Sequence, residues 1–149
     1  MLRDKISTLP LTPPVTVDAG TTVGALVDHV QKRNVGCVLV QEAGRLVGII
    51  TERDVLLKVV ARDVNYSEPV EKFMTSNPLT LSPDKTIGDA VNLMNEQHFR
   101  HIPVVGDNGV ATGVVSIKDI INLVAESFPA QVLNLPPRPH QKLETPEGG

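Results

Sequence analysis

Thr51 and Asp54 stand three residues apart, and Ser116 and Asp119 repeat that spacing 65 residues later. A hydroxyl followed at the third position by a carboxylate can close the start of a helix, each group accepting from an amide that the first turn leaves free. The same pair can serve a ligand, because a carboxylate accepts from two neighbouring hydroxyls at once. Three features favour the ligand. Gly48 and Gly113 lie just ahead of the motifs, in Gly48-Ile49-Ile50-Thr51 and Gly113-Val114-Val115-Ser116, and let a bound molecule approach the backbone. Each motif ends an apolar strand-like run, where clefts form, and helix starts attract phosphate.

Arg53 and Lys118 hold equivalent places inside the motifs, where a cation either faces solvent or adds attraction to a phosphate. Arg100 and His101 precede an apolar strand at the place where the first motif's half of the chain has Gly36 and Cys37. The two halves are therefore chemically unequal, and this cationic pair suits an anion better than a bare strand end. His98 and His101 lack the further ligands of a metal site, so no metal is expected. Ser116, Asp119 and His101 include the residue types of a hydrolytic triad. The duplication of the hydroxyl and carboxylate at Thr51 and Asp54 explains them better as caps, and no nucleophile elbow or phosphate loop accompanies them. The chain is expected not to be an enzyme, with no catalytic residues and no required cofactor.

The elements that must position these residues also come twice. At an offset of 64, Pro14, Thr16, Thr22, Gly24, Val27 and Val40 meet identical residues at Pro78, Thr80, Thr86, Gly88, Val91 and Val104. One added residue in the turn Gly106-Asp107-Asn108-Gly109 moves the offset to 65. Each unit reads strand, helix, strand, strand, helix: β-α-β-β-α. Val15-Thr16-Val17 and Leu79-Thr80-Leu81 read as short strands, and Thr22 and Thr86 as helix N-caps. Val23, Leu26, Val27 and Val30, like Ile87, Ala90, Val91 and Met94, follow the spacing of a helix with one buried face. Two apolar runs about a Gly-containing turn then predict a hairpin, and a second helix buries Val55, Leu56, Val59 and Val60 or Ile120, Ile121 and Val124. Val70 to Met74 predicts a short helix between the units.

With 149 residues and a formal charge of −3, mixed in sign along the chain, there is no polybasic footprint for nucleic acid or membrane surfaces. The longest apolar runs are strand-sized, so no membrane span is expected. The single cysteine, Cys37, has no internal disulfide partner and reads as a small core residue, and the opening lacks a secretion signal; a cytoplasmic protein is expected. Aromatics are scarce, so the core must be built from Val, Ile and Leu.

The order of elements, the 64-residue period and the two Gly-apolar-apolar-Thr/Ser-x-x-Asp segments resemble a tandem pair of CBS domains, the module named after cystathionine β-synthase. Phe73-Met74-Thr75 and Phe99-Arg100-His101-Ile102-Pro103 are similar to family segments as well. The first unit's opening, Leu9 to Pro14, has no Met-Thr pair like Met74-Thr75. The resemblance implies an α+β fold in which two CBS repeats pack sheet to sheet with pseudo-twofold symmetry. It divides the chain into a first domain with its N-terminal extension (1–62), a connector (63–77), a second domain (78–127) and a Pro-rich tail (128–149). It also implies two clefts for adenosine compounds: AMP, ADP or ATP, with S-adenosylmethionine or NAD-type ligands as further members of the class. Asp54 and Asp119 would then accept from ribose hydroxyls, and Thr51 and Ser116 would touch ribose or phosphate. Thr16 and Thr80 would flank the adenine, Ile102 and Pro103 would form an apolar wall, and Arg100, His101 and Lys118 would meet phosphate. The expected protein is a regulatory homodimer acting through a separate effector, or, failing ligand, a dimerisation and interaction module.

Overall fold

In the computed structural model, which describes residues 1–127, the first unit forms a four-stranded sheet in the order β1-β2-β3-β4. β1 (Thr16–Asp18) runs parallel to β2 (Cys37–Glu42), which makes an antiparallel hairpin with β3 (Arg45–Thr51), and β4 (Thr75–Ser76) closes the edge. The hairpin turns on Ala43 and Gly44, both with positive φ (51° and 78°), as a two-residue turn matched to strand twist requires. The second unit's hairpin, β5 (His101–Val105) with β6 (Ala111–Ser116), has a longer loop in which Gly109 adopts φ 79°. That is where the repeat gained its extra residue.

Helix α1 (Val23–Arg33) starts at Thr22, whose hydroxyl accepts from the Ala25 amide at 3.2 Å, and ends at Asn34 in the left-handed region. α3 (Ile87–Gln97) starts at a full capping box of Thr86 and Asp89 and ends at His98, also left-handed. Each buries the expected stripe, with Val23, Leu26, Ile87 and Ala90 all at 1% exposure or less. α2 (Glu52–Asp54) continues through Val55–Val60 as a π-helical turn, in which the Ala61 amide donates to the Leu56 carbonyl five residues back. α4 covers Ile117–Ser127.

Two expectations need correction. Leu79-Thr80-Leu81 is not a full strand: only Leu81 pairs, as a parallel bridge to Val104, and Leu79 is exposed between Pro78 and the turn at Pro83. Leu56 and Val60 are more than half exposed, and so is Ile121, so the second helix of each unit is apolar on an outer flank as well as on its buried one. The Pro-rich tail, 128–149, lies outside the described residues.

The units close each other's cores crosswise. Residues 1–12 pack on the second unit: Ile87 donates to Asp4, Ile6 to Lys85, and Gly88 to Leu2, all at 2.8–2.9 Å. The connector does the same for the first unit, with Val23 donating to Glu68, Val70 to Thr21, and Gly24 to Tyr66. Ile6 and Val70, each at 0% exposure, are the plugs, set into the second and the first core respectively. Leu11-Thr12 stands in for the absent Met-Thr pair: Leu11 packs against Gly113 as Met74 packs against Gly48, and Thr12 bridges Val114 as Thr75 pairs with Ile49. Matched contacts at offsets of 63 to 65 residues are the pseudo-twofold symmetry in physical form. Leu39 (1% exposed) and Ile49 (8%) belong to neither core and lie on the sheet face opposite Val38, Val40 and Ile50.

Candidate functional site

Each motif is built from its strand end outward. In the first unit the Thr51 hydroxyl accepts from the Asp54 amide at 3.1 Å while Asp54 Oδ2 accepts from the Thr51 amide at 3.0 Å. Ser116 and Asp119 do the same at 3.1 and 2.9 Å. The helix starts are also pinned to the neighbouring strand's approach: the Glu52 amide donates to the Gly36 carbonyl at 3.1 Å, and the Ile117 amide to the Arg100 carbonyl at 3.0 Å. Capping therefore occupies one oxygen of each aspartate and leaves the other.

The second oxygens differ. Asp54 Oδ1 lies 3.3 Å from Lys58 Nζ, which also donates to the Phe73 carbonyl at 3.3 Å. The residue one turn beyond Asp119 is Leu123, and among the described residues no cation lies within 4 Å of Asp119.

A cleft of about 510 Å³ opens between the units. Its polar wall is Thr51, Glu52, Arg53 and Asp54 from the first unit, facing Arg100 and His101 from the second. Its apolar wall is Ile49, Pro78, Leu79, Phe99 and Pro103. Arg100 and His101 thus meet the motif of the other unit as well as their own, where His101 pairs with Ser116. The cause is the apposition of β2 and β5 across the pseudo-axis: a Cβ on Gly36 would come within 2.9 Å of His101 Nε2, so the missing side chain at Gly36 makes room for the imidazole. Burial lowers the His101 pKa below the usual imidazole value, only partly offset by Glu52 and Asp119, and Arg100 lowers it further. Its neighbours thus include an acid from each unit.

Of the residues singled out in the sequence, Thr51, Asp54, His98, Arg100, His101 and Pro103 line this cleft, joined by Arg53. Thr16 sits half-buried on β1 against Leu39, Thr80 is exposed, and Ser116, Lys118 and Asp119 do not line this cleft, although Ser116 pairs with His101. Ile102 is a correction: strand alternation turns it into the second core at 0% exposure, so Pro103 alone of the pair forms wall. Sequence reasoning assigned no role to Glu52, Phe99, Pro78 or Leu79. The usable signals were Phe99, one of few aromatics, directly before Arg100, and two prolines bracketing an exposed leucine. Cys37 has its pKa pushed up to about 11 by burial, which keeps it a thiol at neutral pH. Among the described residues no helix is long and apolar enough to cross a membrane, and no group of three or more His, Cys, Asp or Glu could hold a metal ion.

The model of the CBS domain matches the chain twice, over residues 6–61 and 70–126. An uncharacterised 17.7 kDa protein of Acidianus ambivalens is 34% identical over 120 residues, covering 80% of this chain and 72% of that one. Longer curated relatives also match, and the chain spans between 21% and 58% of those. A CBS domain protein from Pyrobaculum aerophilum, solved complexed with AMP, superposes with a TM-score of 0.72 at 27% identity, covering 87% of this chain and 95% of that one. The CBS domain pair of protein MJ0100, solved with 5-methylthioadenosine and S-adenosyl-L-methionine, superposes with a TM-score of 0.75 at 25% identity, covering 84% and 98%.

Proposed function

The chain belongs to the CBS domain family as a tandem pair, and on that footing we propose that it is a regulatory module that binds an adenosine-containing nucleotide in the cleft between its two domains. The observation that carries the reading is the joint lining of that cleft. Neither unit holds both the hydroxyl-carboxylate motif and the cationic pair that face each other there, so a ligand touching both senses how the units sit together. The volume falls within the roughly 300–1,000 Å³ of small-molecule sites. Asp54 Oδ1 accepts from the ribose hydroxyls, sharing or displacing Lys58, while Arg100, His101 and Arg53 face phosphate. Pro103, Leu79 and Phe99 supply apolar surface for the base. The AMP, 5-methylthioadenosine and S-adenosylmethionine bound by the similar structures support the ligand class. The second motif, with Ser116, Lys118 and Asp119, and Thr16 and Thr80 offer the corresponding groups for a second ligand.

Binding acts on an effector outside this pair, through a homodimer. The exposed Leu56, Val60 and Ile121 on the second helix of each unit support that assembly, and they are also what a ligand-independent interaction module would use. Thermal unfolding with adenosine, AMP, ATP and S-adenosylmethionine separates the two readings. A ligand at about 100 times its Kd adds roughly 2.7 kcal/mol of stability. Unchanged unfolding with all four compounds would leave the interaction module as the function.

A further inference from the structure

The cleft carries one group whose chemistry opposes a phosphate. Glu52 lines it between Thr51 and Arg53, and its carboxylate has no cation within 4 Å among the described residues. The other copy of the motif has Ile117 at this position, with the same amide bond to the strand approach, so the helix start does not need an acid there. The Glu52 Oε1 lies 3.6 Å from where a Cβ on Gly36 would be, on the side of the His101 imidazole, so it borders the space where the second unit's cations meet the first unit's motif.

The charges that line the cleft nearly cancel. Arg53 and Arg100 supply two positive charges, Lys58 neutralises Asp54, and Glu52 removes one of the two. Among these groups one net positive charge remains to face the ligand. A monophosphate carries about −2 at neutral pH, and each further phosphoryl group adds roughly one more.

We propose that Glu52 is a specificity-determining residue that restricts this cleft to adenosine ligands bearing one phosphoryl group or none, against the di- and triphosphates. The inference rests on the adenosine reading of the cleft and deepens it. A bound monophosphate pairs with Arg100 and Arg53 and stays clear of Glu52. A longer phosphate chain fills the same end with charge that the two arginines cannot balance, next to an acid that nothing neutralises. An adenosine with a sulfonium in place of phosphate gains from the same acid.

The test is isothermal titration of the full chain at pH 8, without and with Mg²⁺, using adenosine, AMP, ADP, ATP and S-adenosylmethionine. It is run on the wild type, on Glu52→Gln and on Glu52→Ile, the residue of the other copy. Two extra charges at an assumed separation of roughly 6–7 Å through water-like screening correspond to about a tenfold effect. The expected wild-type order is AMP tighter than ADP and ADP tighter than ATP. Both variants should gain about 20-fold for ATP, about twofold for AMP and nothing for adenosine, and should lose affinity for S-adenosylmethionine. Unfolding midpoints of the free proteins confirm that the variants fold. ATP binding tighter than AMP in the wild type overturns the inference alone, as does an equal gain for every ligand on substitution. If no adenosine compound binds any of the three proteins, the nucleotide reading itself falls, and this inference with it.

Discussion

Replacing Asp54 and Asp119 one at a time by Asn separates the two jobs their motifs perform. The isosteric amide keeps an oxygen that can accept from the Thr51 or Ser116 amide, bonds of 3.0 and 2.9 Å in the intact chain. What Asp54→Asn loses in the free protein is the charge and its pairing with Lys58, whose side chain is one-third exposed, so the stability cost should be about 0.5–1 kcal/mol. Asp119→Asn loses only charge near a helix start and should cost no more. Binding should split the pair. Hydrogen bonds to a charged group contribute about 1.5–3 kcal/mol, so Asp54→Asn should weaken AMP about 10- to 100-fold in the cleft that also holds Arg100 and His101. Asp119→Asn should leave that site within about threefold, since its carboxylate lies outside the cleft. Titration calorimetry reads both affinity and stoichiometry, and free-protein unfolding midpoints exclude misfolding as the cause. Equal weakening by the two variants, or a larger effect at Asp119, would refute the crosswise site.

Three further outcomes are expected. Ile6→Ala should destabilise the protein by about 2–5 kcal/mol in urea unfolding, the range for deleting a buried aliphatic side chain; a cost under about 0.5 would mean that the leading segment does not plug the second core. Lowering the pH from 8 to 6.5 should tighten AMP about threefold, because a bound phosphate favours the imidazolium that burial disfavours in free His101; His101→Asn should flatten that dependence. In the unliganded protein the sign reverses: the lowered His101 pKa means that the unfolded chain binds the proton more readily, so its contribution is present above the unfolded pKa and lost as pH falls through the folded one. Leu56→Glu with Ile121→Glu should convert a dimer to a monomer in sedimentation; an unchanged mass would place the interface elsewhere.

What could be read from the sequence was local. Thr22, Thr86, Thr51 and Ser116 announce helix starts because a cap is a contact within one turn, and Gly44 announces a hairpin because few residues tolerate its φ. The aliphatic stripes of α1 and α3 followed from period alone. What could not be read was the partner of each piece. Arg100 and His101 sit beside Ser116 and Asp119 in their own unit, yet they face Thr51 and Asp54, and only the pseudo-axis decides that. The strand pattern of Leu79–Leu81 was overridden by flanking prolines, and Ile102 by an alternation that depends on which sheet face is buried. Residues 1–12 carried no signal that their destination lay some 75–100 residues along the chain.

That crosswise closure makes each unit depend on a segment from beyond its own boundaries. A lone unit with its own leading segment in front cannot use that segment, because the segment reaches the neighbour's core and not its own. Two separate copies could each lend a segment to the other, and the result would have the same contacts as the chain described, with the 63–76 stretch covalently continuous. The tandem protein has in this sense the contacts of an exchanged dimer joined end to end.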